Sequence, residues 1–175
     1  MGMVDAVWGE ALKQGRLAHA YLLIGHALDG VIEDFALALF CEKMGRWWVQ
    51  WQKVSKEGRP DITFVERDGK RIKIDQIRAL QRDARYPPLE AKRKIYVLKD
   101  VESLSVEAAN GLLKILESPP KYLIFVLTAS SLKVLPTILS RCQVVKFNPT
   151  ELDEQAELLK EQGLKKGEKI GRAHV

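Results

Sequence analysis

The sequence predicts an α/β fold: a mainly parallel, five-stranded sheet with helices on both faces. Short apolar runs alternate along the chain with segments whose apolar residues recur at helical spacing, as strands and crossover helices do in such a fold. Most of these runs are continuously apolar, which is typical of strands buried on both faces. The predicted strands cover residues 21–24, 62–67, 95–98, 123–127 and 144–147.

The N-terminal segment predicts two helices that flank the first strand. Apolar residues recur at helical spacing over residues 4–12, and Gly15 is placed to end that helix. After the strand, a loop bounded by Gly25 and Gly30 leads into a helix over residues 31–40. Strand, glycine-bounded loop and helix in this order are the layout of a phosphate-binding unit.

The middle of the chain predicts a hairpin and two further helices. Residues 62–67 and 71–74 alternate in polarity around an Asp-Gly pair, which predicts a β-hairpin. A helix follows from Asp75 to about Ala84, where a Tyr-Pro-Pro stretch ends it. Ser105 is placed to cap the next helix, which a second Pro-Pro pair closes.

The composition indicates one globular domain and the beginning of another. The 175 residues are 46% hydrophobic and 29% charged, which is ordinary for one globular domain. The pattern changes after Pro149, so we expect an α/β core over residues 1–149 and the incomplete start of a small helical domain over 150–175. No apolar run approaches the ~20 residues of a membrane span and no secretory signal opens the chain, so we expect a cytoplasmic protein.

The positive charge is concentrated in one segment. The net charge is +5, yet residues 46–94 hold 14 Lys and Arg against 7 Asp and Glu. A basic region of this kind attracts a phosphate backbone, and it is equally typical of a solvated surface. Trp47, Trp48 and Trp51 lie beside these charges and could stack bases, although such side chains more often cover a core.

The cysteines and histidines do not indicate a metal site. Cys41 and Cys142 both lie in apolar segments, which favours two buried thiols over a disulfide. His19, His26 and His174 do not have metal-ligand spacing with them, so we expect no metal.

The glycine-bounded loop is a degenerate phosphate loop. A working loop of the G-x-x-x-x-G-K-[ST] type needs a lysine for the phosphates and a hydroxyl for Mg²⁺. Gly25 and Gly30 are in register, but Val31 and Ile32 occupy the lysine and hydroxyl positions, and Asp29 adds negative charge. We therefore expect no bound nucleotide and no cofactor here, and the glycines alone are also compatible with an ordinary strand-to-helix turn.

The expected metal-binding strand end is degenerate too. A Walker-B segment needs an acidic residue after its apolar run to hold the metal. Here Lys99 comes first and would repel Mg²⁺, while Asp100 alone is as readily a residue at a helix entry. The two losses together argue against an autonomous ATPase.

The stretch of residues 135–143 predicts a short helix that ends in Ser140, Arg141 and Cys142 at the junction with a strand. An arginine held between two rigid elements could reach a phosphate across a subunit boundary, since its planar fork matches oxyanion geometry. The alternative is a surface arginine that closes a helix and complements its dipole.

Taken together, these motifs resemble the AAA+ ATPase-like clamp-loader family, and within it the delta-prime subunits of bacterial DNA polymerase III. The stretches that carry the resemblance are residues 16–22, the Gly25 loop, and residues 94–104, 110–120 and 135–143.

The resemblance implies a role for Arg141 as an arginine finger. It would insert into the ATP site of a neighbouring gamma/tau subunit, with Ser140 and Cys142 positioning it. The implied partners are gamma/tau and delta subunits and, through the complex, the sliding clamp and primed DNA. The C-terminal domain would be a lid. Many relatives carry a four-cysteine zinc module, but only Cys41 remains in that region, so we expect no zinc.

Two alternative functions stay open. An active clamp-loader-type ATPase would need another residue in place of Val31. A DNA-binding module would use the basic segment 46–94, with backbone contacts from Lys92, Arg93 and Lys94.

Overall fold

Five strands form one parallel sheet in the computed structural model, which describes residues 3–41 and 60–148. The strands are β1 (Ala20–Ile24), β2 (Ile62–Val65), β3 (Lys94–Leu98), β4 (Leu123–Ala129) and β5 (Gln143–Lys146). Their order across the sheet is β2-β3-β4-β1-β5, and every pairing is parallel. The predicted α/β class and parallel sheet are therefore confirmed.

The central strands are buried along their whole length. Every residue of β1, β3 and β4 is buried, as their continuous apolar runs predict. Leu22 illustrates the register, since it lies opposite Leu127 on one side and Val144 on the other. The edge strand β5 is more exposed.

Two helices pack on the core of this sheet. They are α3 (Ile74–Asp83) and α4 (Val106–Glu117), and a short 3₁₀ helix (Val101–Ser103) follows β3. A Cβ at Gly111 of α4 would lie 3.2 Å from side-chain atoms of both Ile74 and Ile77, so the glycine permits a close approach of the two helices. Gln81 adds a hydrogen bond from its Nε2 to the Gly111 carbonyl, at 2.7 Å.

The predicted hairpin after β2 is wrong. Asp68 and Arg71 form a single antiparallel bridge around Gly69, whose φ is +72°. The segment then turns away, because Ile72 pairs in parallel with Leu104 and is fully buried. β2 has its partner in β3, which is distant in sequence, and the helix begins at Ile74 rather than after a second strand.

The chain divides into two compact units, and the sheet with α3 and α4 belongs to one of them, residues 18–26 and 60–146. The other unit includes the helices α1 (Met3–Gln14) and α2 (Asp29–Cys41). Within it, the rings of Trp8 and Phe35 stack with centroids 4.0 Å apart. Gly15 ends α1 at a φ of +65°, as expected for a residue that stops a helix.

Several predictions fall outside the described residues. They include the three tryptophans within 47–51 and the helical domain over 150–175, so the domain boundary after residue 149 stays a prediction. None of the helices described has the length and apolar character that crossing a bilayer requires.

Candidate functional site

Arg141 lies where the sequence predicts it, between a short helix and a strand. The helix α5 (Pro136–Leu139) starts with a proline, which is compatible with a first helical position because that position needs no amide donor. The Arg141 amide donates to the Ile138 carbonyl at 3.0 Å, and β5 begins two residues later. The backbone around the arginine is therefore fixed on both sides.

The guanidinium of Arg141 is bound within its own chain. Nη1 donates to the Thr137 carbonyl at 2.8 Å and lies 3.4 Å from the Ser140 hydroxyl. Nη2 donates to Glu117 Oε1 at 2.8 Å. The side chain of Arg141 is 31% exposed and that of Glu117 is 55% exposed.

These contacts include those of an arginine that closes a helix, since a cation bonds a carbonyl at the C-terminal end of α5. They do not bury the guanidinium in the core. Exposed ion pairs contribute at most about 1 kcal/mol, so a more highly charged phosphate can compete for the same group. Among the described residues, Nε has no hydrogen-bond partner and remains a free donor.

The neighbours of Arg141 differ in character. The Ser140 hydroxyl donates to the Thr137 carbonyl at 3.0 Å and presents its oxygen to the guanidinium. Cys142 packs partly against the core, and burial raises the pKa of its thiol to about 12. The thiol is therefore protonated at neutral pH and is a packing group rather than a nucleophile.

The degenerate phosphate loop begins in the unit that contains the sheet and ends in the unit that contains α2. In the first, the Gly25 amide extends β1 by donating to the Ala129 carbonyl at 3.0 Å. In the second, Gly30, Val31 and Ile32 lie in the first turn of α2, and the two apolar side chains are buried. A buried valine and isoleucine supply no cation and no hydroxyl for a nucleotide.

The degenerate metal position is occupied by ion pairs. Lys99 Nζ lies 2.9 Å from Glu66 Oε1, and Asp100 Oδ2 lies 3.2 Å from Arg67 Nε. Asp100 has a φ of +56°, and its amide donates to Thr128 Oγ1 at 3.2 Å. Across the described ranges, no three His, Cys, Asp or Glu side chains are grouped as metal ligands would be.

The three basic residues proposed to contact DNA differ in exposure. Lys92 is exposed and Arg93 is half-buried. Lys94 is only 4% exposed, and its Nζ lies 2.9 Å from both the Asp83 carboxylate and the Asp83 carbonyl. The structure does not support Lys94 in that role, because its ammonium is enclosed and already paired.

Tyr96 completes this partly exposed polar cluster by donating to Asp83 Oδ2 at 2.6 Å. Burial opposes ionisation of Asp83, but the bonds from Tyr96 and Lys94 outweigh it and lower the pKa of that carboxyl. Burial and the same carboxylate raise the pKa of the Tyr96 hydroxyl. Lys94 thus anchors the end of α3 to the sheet.

Comparison with known proteins places the chain in a family. The family model for the DNA polymerase III delta subunit matches residues 4–151. The chain belongs to this family. The resemblance inferred from the motifs is confirmed.

This DNA polymerase III delta family member matches two curated relatives over part of their length. The DNA polymerase III subunit delta' of Bacillus subtilis is 34% identical over 149 residues, which are 81% of this chain and 45% of that protein. The subunit tau/gamma of Haemophilus influenzae is 35% identical over 154 residues, 82% of this chain and 22% of that protein. The chain therefore spans less than half the length of these relatives.

Solved structures show the same fold. The crystal structure of a DNA polymerase III gamma subunit-related protein from Thermotoga maritima matches with a TM-score of 0.63 and 25% identity, over 87% of this chain and 51% of that one. The DNA clamp loader delta protein of Bacillus subtilis matches with a TM-score of 0.51 and 20% identity, over 91% of this chain and 48% of that one, which is a likeness of fold alone.

The structure of this delta family member also shows polar residues that the sequence did not single out. Asp61 is fully buried and accepts three backbone N–H bonds, from Leu89, Glu90 and Ala91. Glu117 is the last residue of α4, a position at which a glutamate is ordinarily a solvated surface charge. No local pattern marks either residue, because their partners lie 24 to 30 positions away in the chain.

Proposed function

We propose that this protein is a clamp-loader subunit of DNA polymerase III that does not hydrolyse ATP and supplies Arg141 to the ATP site of a neighbouring gamma/tau-type subunit. The observation that carries the proposal is a partly exposed arginine at a helix–strand junction in a chain whose own phosphate loop lacks its lysine. The delta' and tau/gamma names of the relatives support the same complex. A delta subunit, the sliding clamp and primed DNA complete the proposed partners, and the cytoplasm is the proposed location.

The role proposed for Arg141 is to stabilise negative charge in the transition state. In phosphoryl transfer, negative charge on the transferred group and leaving oxygens must be neutralised in the transition state. Arg141 would donate from its free Nε and from Nη2, while Ser140 and the Thr137 carbonyl hold Nη1. Such fingers raise the rate by about 10³–10⁵, or roughly 4–7 kcal/mol of transition-state stabilisation. The Cys142 side chain packs against the core and would thereby fix the backbone next to Arg141.

The test is Arg141→Ala in a clamp loader reconstituted with the full-length protein. We expect the loader to lose the share of DNA-dependent ATP turnover that this site contributes, and to load clamps more slowly. Arg141→Lys should behave in nearly the same way, because an ammonium lacks the planar fork. Lys133→Ala, which removes an exposed positive charge from the loop before α5, is the matched control and should leave turnover unchanged. Unaltered turnover with Arg141→Ala would remove the finger role.

The missing lysine predicts that the isolated protein does not bind ATP. Titration of the isolated protein with an ATP analogue and Mg²⁺ should give no saturable binding, because the uncharged Val31 stands at the lysine position. Micromolar affinity, or turnover by the purified protein, would favour an active ATPase instead.

A DNA contact is a second candidate, and exposed cations favour it. Exposed Lys92 and half-buried Arg93 directly precede Lys94, whose ammonium reaches Asp83 at the C-terminal end of α3. Arg82 and Arg85, on either side of Asp83 in the chain, are exposed. Replacing Lys92 and Arg93 with Gln should weaken binding of the isolated protein to primed DNA, and should reduce the slope of log K against log salt by about 2. Binding that is unchanged, or insensitive to salt, would exclude this contact.

A further inference from the structure

We infer that Glu117 is a positioning residue for Arg141: its carboxylate holds the guanidinium in the orientation in which it meets a phosphate. The inference rests on the proposed function. Its basis is the bond from Arg141 Nη2 to Glu117 Oε1, at 2.8 Å, together with the bond from Nη1 to the Thr137 carbonyl. The guanidinium is therefore held from two different elements, α4 and α5.

Each of the two residues that accept bonds from Arg141 has a buried core residue as its neighbour in the chain. Glu117 is the last residue of α4, and its neighbour Leu116 is 1% exposed. Thr137 lies in α5, and its neighbour Ile138 is also 1% exposed. Both neighbours belong to the same hydrophobic core, so the backbone segments that carry the two acceptors are fixed relative to each other.

The contact with Glu117 leaves the guanidinium able to bind a phosphate. An arginine has five N–H donors, and the bonds described use Nη1 and one position on Nη2. Nε and one N–H of Nη2 remain available as donors to the oxygens of a phosphate. Glu117 therefore orients the group rather than occupying all of it.

Orientation matters because an arginine side chain has large rotamer entropy. Glu117 and Thr137 restrict the side chain before a partner arrives, so less freedom is lost when the transition state forms. Since the pair is partly exposed, we expect its loss to lower turnover by about twofold to fivefold. Removal of the arginine itself should cost far more.

The experiment compares Glu117→Gln and Glu117→Ala with Glu107→Gln, an exposed glutamate at the start of the same helix. In the reconstituted loader, both Glu117 variants should lower kcat for ATP without changing KM, because the finger acts in the transition state. The Glu107 variant should match the wild type. In an Arg141→Ala background, Glu117→Gln should have no further effect, since a residue that acts through Arg141 cannot act without it.

A second readout does not depend on ATP turnover. In the isolated protein, nuclear magnetic resonance should show slow rotation of the Arg141 guanidinium, and Glu117→Gln should abolish that restriction while Glu107→Gln preserves it. This measurement also separates a positioning role from a general loss of stability, because the rest of the spectrum should be unchanged.

The outcomes distinguish the two claims. If Arg141→Ala leaves turnover intact, the proposed role of Arg141 as an arginine finger is wrong. If Arg141→Ala removes turnover while both Glu117 variants remain normal, only the positioning role is overturned. A rise in turnover with Glu117→Ala would mean that the carboxylate sequesters the arginine, and would also overturn it. Freely rotating Arg141 in the wild-type protein would do the same.

Discussion

The strongest prediction for stability concerns Asp61, a fully buried carboxylate. Oδ1 accepts the Leu89 amide at 2.6 Å, and Oδ2 accepts the Glu90 and Ala91 amides, each at 2.7 Å. These bonds fix the loop between α3 and β3, whose Leu89 side chain is 81% exposed and contributes little packing of its own. Three consecutive amides of the loop are thus bonded to one carboxylate.

The loss of unfolding free energy expected for an Asp61 substitution can be estimated from these three bonds. Asp61→Asn keeps the size of the side chain but turns one acceptor oxygen into an NH₂ donor. If the remaining oxygen faces Glu90 and Ala91, the Leu89 amide loses its partner and meets a donor. Hydrogen bonds to a charged group contribute about 1.5–3 kcal/mol each, and the two that remain become weaker neutral bonds. We therefore expect a loss of about 2–4 kcal/mol, because relief from burying a charge offsets part of the cost.

Urea denaturation measures this loss, and amide hydrogen exchange locates it. The midpoint should fall at an unchanged m-value, and the amides of residues 89–91 should exchange faster than those of β3. Asp75→Asn, at an exposed carboxylate in the first turn of α3, is the control and should change stability by less than about 1 kcal/mol. A loss below about 1 kcal/mol for Asp61→Asn, with unchanged exchange in the loop, would refute the reasoning.

Two further predictions concern groups with altered pKa values. Burial raises the pKa of Asp34 in α2 to about 7, above its unfolded value of about 3.9, so the wild-type protein should lose stability as the pH rises from 4 through 7. Asp34→Asn should then stabilise the protein by on the order of 2–4 kcal/mol at pH 8 and by little at pH 4, measured by urea unfolding at both pH values; an equal effect at both would contradict the assignment. Tyr96→Phe removes the donor to Asp83 and should cost about 1–2 kcal/mol near neutral pH. It should also raise the pKa of Asp83, followed by carbon-13 titration, and an unmoved titration would show that Lys94 alone holds the carboxylate.

Much of the fold could be predicted because its information is local. Buried parallel strands need continuous apolar runs, so β3 and β4 could be located from the runs of apolar residues along the chain. The absence of a phosphate-binding lysine could be read directly as well, since Val31 occupies that position. The position of Arg141 between a helix and a strand followed from the proline before it and the apolar run after it.

The errors arose where a long-range partner competes with a local pattern. Alternating residues after β2 predicted a hairpin, but β3 supplies the hydrogen bonds of β2 and leaves Ile72 to pair with Leu104. A run of three basic residues suggested three exposed cations, but Lys94 is the first residue of a central strand and its side chain is enclosed beside Asp83.

The sequence by itself determined the α/β class, the parallel sheet, the absence of a phosphate-binding lysine and the place of Arg141 in the chain. These are properties of residue type and local periodicity. Only the tertiary structure decided that Glu117 holds Arg141, that Asp61 holds the loop before β3, and that Lys94 is buried. Each of these depends on which side chains folding brings within hydrogen-bond distance, and no spacing along the chain encodes that distance.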